Sequence, residues 1–455
     1  MDFLNNFFTT LSGYLWGWPM IVLLLGTHIY LTIRLRFPQR KLLTAIKLSV
    51  KNDDQAAGDV SQFGSLATAL AATIGTGNIV GVGTAIVLGG PGAVFWCWIS
   101  GLFGIATKYS EALLSVKYRV RMANGQMLGG PMYTLEKGLG CKWLAVLFAV
   151  FTILASFGTG STVQANAISS NLAHAYHISP YLSGIVIAAL TAVVVMGGVK
   201  HIARVCEMLV PLMAAFYVLG CLYILCVNGS YVWPAIKLIV SAAFTPQAAG
   251  GGFVGSSIML AARFGIARGL FSNESGLGSA PIASAAARTR NAVRQALVSS
   301  SGTFWDTVVI CALTGIVLVS SVLAYPDIDC TNGGALTSMV FSKIPYVGNL
   351  ILSIGLVMFA FTTTLGWYYY GERCMTYLKG RLWTKVYSIA YILTVFGGSV
   401  ANLYMVWSVA DCMNALMAIP NLISLLLLSG VLVRETQKYL WSGNLDMTDD
   451  EMMQE

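Results

Sequence analysis

The sequence predicts an all-helical polytopic membrane protein of about eleven spans, and three observations carry that prediction. Its 455 residues are 56% hydrophobic and only 10% charged, with a mean hydropathy of +0.72, which is far too apolar for a soluble globular chain. Apolar segments of membrane-spanning length recur, and the basic residues behind the net charge of +8 fall in short runs between them. That is the positive-inside pattern of a membrane protein rather than a nucleic-acid footprint. Two of the apolar segments, opening five spans apart, are interrupted by clusters of glycine.

The first span is expected at 12–33. Its amino-terminal flank lacks the positive charge of a signal peptide. The run Arg34, Arg36, Arg40, Lys41, Lys47 and Lys51 follows it and places that end in the cytoplasm, so the amino terminus is outside. Within this run Leu42, Leu43, Ile46 and Val50 recur at helical spacing, which predicts a helix lying on the anionic inner surface. Span two, 63–88, leads outward to a Gly89, Gly90, Pro91 turn, and span three, 92–117, returns inward to Lys117, Arg119 and Arg121. Span four follows at 142–170, and spans five and six, 181–199 and 205–227, bracket Lys200 and Arg204 on the inside. Tyr231, Trp233 and Pro234 suit an outer interfacial helix in the next segment. Span seven, 253–286, is too long and too rich in glycine for one ordinary helix. Spans eight to eleven are expected at 297–322, 346–377, 386–408 and 411–433, and the acidic tail after Trp441 reads as disordered. The chain thus divides into 1–60, a first five-helix set 61–228, an outer segment 229–252, a second five-helix set 253–435 and a cytoplasmic tail 436–455.

The most informative stretch is AATIGTGNIVGVG, Ala71 to Gly83. Each glycine lowers helix propensity by roughly 1 kcal/mol relative to alanine, and Thr76 and Asn78 place polar side chains at mid-membrane depth. The helix should break here, which is tolerated only where protein buries the backbone or water lines it. An alternative is that Gly77 and Gly81, a GxxxG pair, serve close helix packing. The spacing is one residue too long for a dinucleotide-binding GxGxxG, and no βαβ unit surrounds it. With the first span set aside, each set of five opens with a broken helix, one entering from inside and the other from outside. An inverted repeat of this kind points to a secondary transporter with a site at the midplane. Half-helix amino termini would face an anionic group there, and unwound carbonyls a small cation.

The runs GSLATALAATIGTGNIVGVGTAIVLGGPGAVFWCW, GGPMYTLEKGLG, STVQAN and ARGLFSNESGLGSAP resemble the alanine or glycine:cation symporters, also called the sodium:alanine symporter family, and the resemblance covers nearly the whole chain. It implies a leucine-transporter type fold of five-plus-five inverted repeats, and sodium-driven uptake of a small neutral amino acid into the cell. By this resemblance, backbone groups at Thr76, Gly77 and Asn78 receive the substrate carboxylate. Gln164 in span four meets the α-amino group or a small polar side chain, since a neutral amide offers both donors and an acceptor; an interhelical hydrogen bond is its other reading. Phe271 would be a lid or wall, and Thr363 and Trp367 would close the side-chain pocket. Sodium wants oxygen ligands, which the hydroxyls of Thr362 and Thr363 and the carbonyls near Ala71 and Ile74 supply. Hydroxyl back-bonding to the preceding turn is the alternative for each threonine.

Charged residues are costly inside spans. Arg268 and Asp411 could form an outer gate, or each could snorkel alone. Glu274 is expected to cap a half-helix, and Glu111, Glu207, Asp306 and Glu372 to pair with basic residues at inner ends. Nine cysteines without a CxxC pair give no metal site, and no HExxH, GxSxG or GxxxxGK[ST] motif supports an enzyme. No cofactor beyond the co-transported ion, no nucleic acid and no obligate protein partner is implied. Glutamine as substrate, protons as driver and, further off, an ion channel remain alternatives.

Overall fold

The computed structural model describes residues 2–51, 56–246, 257–401, 404–448 and 451–453. Almost all of them are helical. Gly17 and Pro19 divide the expected first span into α1 (Asp2–Leu15) and α2 (Trp18–Arg34), and Asn6–Arg34 together still make one stretch long and apolar enough to cross a bilayer. The basic amphipathic run forms a short turn and then α3 (Leu42–Ser49), as its periodicity predicts.

Ser61 starts α4 (Gln62–Thr73) by accepting the amide of Gly64 at 2.8 Å. After a bend of 52° the chain resumes as α5 (Gly77–Gly89), so the predicted break is present. Next come α6 (Gly92–Lys117), α7 (Lys142–Tyr176), α8 (Pro180–Met196) and α9 (Gly198–Val227). The segment expected at the outer interface forms α10 (Gly229–Ala242), although its residues 247–252 lie outside the described part. Residues 253–256 of span seven lie outside it too, and α11 (Ile258–Asn273) is followed by an irregular stretch and one helical turn at Pro281–Ser284. Further on come α12 (Ala292–Ala324), α13 (Gly333–Ser342), α14 (Gly348–Lys379), α15 (Arg381–Val400) and α16 (Tyr404–Leu427), and a short helix, Ser429–Thr436, follows α16. No predicted span corresponds to α13.

Among the described residues, six helices are long and apolar enough to cross a bilayer, and seven if the bent pair α4–α5 counts as one span. The remaining predicted spans are helices as well, but short, charged or broken. Helix α8 has 17 residues, α6 carries Lys108, Glu111 and Lys117, and α11 ends in the second break.

The basic segments gather at one end of the molecule. Arg119 donates to the carbonyls of Ala57, Ala285 and Ala287 at 2.8–3.1 Å, and Lys117 pairs with Glu435 at 2.8 Å. The tail departs from the expected disorder. Asn291 donates to the carbonyls of Leu445 and Met447, both at 2.9 Å, and the buried Arg294 pairs with Asp446. A fully buried guanidinium needs a carboxylate, and the tail provides one.

Candidate functional site

The first break is built by a side chain that replaces a helical acceptor. The amide of Ile74 still bonds the Leu70 carbonyl at 2.8 Å, but Ile74 itself is extended (φ −76°, ψ 92°). The next amide, Gly75 N–H, donates to Asn78 Oδ1 at 2.9 Å instead of to Ala71 O. The Ala71 carbonyl therefore loses its helical donor. Asn78 is fully buried, and its Nδ2 donates to Asp306 Oδ1 at 2.8 Å. The chain resumes as a helix at Gly77, so the amides of Thr76 and Gly77 head a new half-helix with no preceding turn to satisfy them.

Close approach explains Gly75. A Cβ there would lie 2.5 Å from Thr363 Oγ1. Gly77 and Gly81 are different: their nearest neighbours are the Phe271 ring at 3.5 Å and Arg268 Cδ at 4.0 Å. These are ordinary contacts, so the GxxxG pair is not there to let two helices touch.

The second break has left-handed backbone at Glu274 (φ 56°), Gly276 (φ 93°) and Gly278 (φ 85°). Its free amides are collected by Glu111, whose Oε1 accepts from Gly276 N at 2.9 Å, Gly278 N at 3.1 Å and Asn421 Nδ2 at 2.6 Å. This corrects three expectations. Glu111 does not pair with an inner basic residue; it is buried and caps the break. Glu274, expected as the cap, instead accepts from the Ser279 hydroxyl. Asp306 is buried too, and besides Asn78 it accepts from Ser272 at 2.9 Å and Thr307 at 2.7 Å. It thereby ties α5 to the last turn of α11. Glu207 accepts from Ser61 at 2.6 Å, and among the described residues Glu372 alone of the four forms an ion pair within 4 Å, with the neighbouring Arg373 at 3.5 Å. Burial decides these cases: an unpaired buried amide is costly, and a carboxylate one helix away satisfies several at once.

The expected cation ligands divide. Thr363 faces the break, with Oγ1 3.4 Å from Ile74 O. Thr362 back-bonds to its own helix, donating to the carbonyls of Met358 and Phe359 at 3.0 Å, and touches the Met213 thioether at 3.3 Å. Trp367, one turn after Thr363, is buried against the wide-pitched stretch Ser156–Thr162 of α7, where a Cβ on Gly160 would lie 2.2 Å from Trp367 Cβ. Gln164 follows that stretch, buried, with Nε2 donating to Thr159 O at 3.0 Å.

The structure thus brings Ile74 and Gly75 to Thr363, Gly77 to Phe271, and the glycine face of α7 to Trp367. Arg268 and Asp411 line one cavity of about 130 Å³ together with Trp16, Arg263 and Phe271. No ion pair joins them among the described residues; the Arg268 guanidinium instead sits 5.9 Å above the Phe271 ring. No cluster of three or more His, Cys, Asp or Glu suited to a metal occurs among the described residues. Sequence reasoning missed Ser272, Asn414 and Asn421 altogether. The two asparagines were detectable, since Asp411, Asn414 and Asn421 share one face of the otherwise apolar α16 at helical spacing.

Comparison with known proteins agrees with this architecture. A model described as the sodium:alanine symporter family matches residues 1–453. The chain is 50% identical over 447 residues to the sodium/alanine symporter AgcS of Methanococcus maripaludis, covering 96% of this chain and 98% of that protein. It is 37% identical to the probable sodium/glutamine symporter GlnT of Bacillus subtilis, covering 93% and 88% of the two chains. Among solved structures, MhsT in complex with L-phenylalanine superposes with a TM-score of 0.59 at 14% identity, covering 86% of this chain and 93% of that one. At that identity the likeness concerns the fold alone.

Proposed function

Since the chain belongs to the sodium:alanine symporter family, we propose that it couples the inward movement of sodium to uptake of a small neutral amino acid of the alanine or glycine type by alternating access. The observation that carries this reading is the first break: the Ala71 carbonyl without its helical donor, the extended Ile74, and the Thr363 hydroxyl facing them. Carbonyl and hydroxyl oxygens suit a hard monovalent cation. Sodium is held by the carbonyls of Ala71 and Ile74 and the hydroxyl of Thr363, and Thr362 completes the set on releasing Met213. The substrate carboxylate takes the amides at Thr76 and Gly77, with Asn78 holding that turn in shape. Gln164 meets the amino group, Phe271 covers the site, and Trp367 limits the side chain to a small one.

In the same reading about eleven spans cross the cell membrane as one extra helix and two inverted sets of five, with the amino terminus outside. The gathering of basic segments at one end supports that orientation. Arg268 and Asp411 form the outer gate by closing across their shared cavity.

Transport of a zwitterion with sodium carries net charge inward. A tenfold sodium gradient supplies about 1.4 kcal/mol and 100 mV of inside-negative potential about 2.3 kcal/mol, enough together for accumulation of several hundredfold at one sodium per substrate. The test is uptake of labelled alanine, glycine and glutamine into proteoliposomes at fixed external pH, with choline replacing sodium in one arm and a proton gradient imposed in another. Uptake should need sodium and rise with an inside-negative potential. Persistence in choline, following the proton gradient, would overturn the sodium assignment.

A further inference from the structure

Two buried amide oxygens beside the stretch Ser156–Thr162 have no hydrogen-bond partner: Gln164 Oε1 and Asn414 Oδ1. They come from different helices, α7 and α16, yet both side chains are anchored on one residue. Gln164 Nε2 donates to Thr159 O at 3.0 Å, and Asn414 Nδ2 donates to Thr159 Oγ1 at 2.9 Å. Each amide has thus committed its nitrogen and left its oxygen unused, with Gln164 3% and Asn414 1% exposed. The stretch between them is packed tightly on both sides: a Cβ on Gly158 would lie 2.6 Å from Ala410 Cβ, one turn before Asn414, and Gly160 lies against Trp367. A buried acceptor left unpaired costs free energy, and native proteins keep such groups chiefly where a ligand or water completes them.

We propose that Asn414 is a second recognition residue for the substrate amino group, its Oδ1 acting with Gln164 Oε1 as a pair of acceptors for one α-ammonium. This deepens the functional reading above and rests on it. An ammonium group carries three donors and no acceptor, which matches two free oxygens fixed by one threonine. Neutral amides suit the task better than carboxylates would. They bind the zwitterion's cationic end without leaving an unpaired buried charge when the site is empty. Asn414 also lies one turn from Asp411 on α16, so amine recognition and the outer cavity share a helix.

The experiment compares Asn414→Leu and Asn414→Asp with wild type in proteoliposomes, measuring half-saturating substrate at saturating sodium and half-saturating sodium at saturating substrate. The substrate is whichever amino acid of the alanine, glycine and glutamine panel the wild type takes up. Asn414→Leu keeps the size but removes the acceptor and should raise half-saturating substrate about ten- to a hundredfold, with sodium dependence unchanged. Asn414→Asp keeps an oxygen for the ammonium and can accept the Thr159 hydroxyl, so despite the cost of its buried charge in the empty site it should lose far less affinity than Asn414→Leu. Wild-type affinity in Asn414→Leu would overturn the proposal. So would equal failure of both variants, which marks a packing role through Thr159, or a shift in sodium dependence, which marks a cation ligand. Sodium-driven uptake of glutamine but not alanine by the wild type would correct the substrate class while leaving the Asn414 comparison intact; no uptake of any of the three would sink both.

Discussion

Gly75→Ala tests the proposed cation site with a single methyl group. Its Cβ would sit 2.5 Å from Thr363 Oγ1, while Cβ and Cγ2 of Thr363 would be at 3.5 Å, so the overlap is with the hydroxyl alone. Rotation of the threonine side chain relieves the clash, but it carries the oxygen away from Ile74 O. Overpacking of this kind costs about 1–3 kcal/mol, and alanine adds about 1 kcal/mol of helix propensity to a segment that has to stay unwound. The first cost alone corresponds to a rise of about five- to 150-fold in the sodium concentration for half-maximal uptake. The assay is a sodium titration of labelled alanine uptake into proteoliposomes. Gly302→Ala is the matched control, since its Cβ meets Leu66 Cδ1 at 3.4 Å and Leu70 Cδ2 at 3.7 Å, which is ordinary contact. An unchanged sodium requirement in correctly inserted Gly75→Ala, or an equal change in the control, would refute the placement of sodium beside Thr363.

Gln164→Ala should weaken substrate affinity roughly ten- to a hundredfold with the fold intact, because it removes one hydrogen bond to a charged group worth about 1.5–3 kcal/mol; unchanged affinity in a well-folded variant removes Gln164 from the site. Glu111→Ala acts on stability instead. It strips the acceptor from Gly276 N, Gly278 N and Asn421 Nδ2, and each buried orphan costs about 1–3 kcal/mol, so thermal unfolding of the purified protein should fall clearly below wild type. Glu111→Gln retains a carbonyl oxygen and should lose less; equal melting of all three proteins would show that the cap contributes nothing.

Both breaks were legible in the sequence because glycine clusters in apolar segments have few readings, and helix bounds such as 92–117 followed from flanking Pro91 and Lys117. What holds the breaks open was not legible. Glu111 and Asp306 fall near span ends, where pairing with local basic residues is the economical reading, and nothing local to them shows that a broken helix packs alongside. Glu111 accepts from amides 165 to 310 residues away along the chain, and Asp306 from the side-chain amide of Asn78, 228 residues away. Periodicity reports which face of a helix is polar, but not which neighbour that face meets. The threonine run illustrates the same limit at closer range: Thr362, Thr363 and Thr364 are chemically alike, and a helix turns each by about 100°. Packing of α14 against α4 selects Thr363 for the break, and Thr362 and Thr364 are left to their own helix carbonyls. Gly366 fixes that selection, since its Cβ would lie 2.6 Å from Ala72 Cβ; the two helices touch there, and the side chain one turn earlier on α14 is the one held beside the unwound carbonyl.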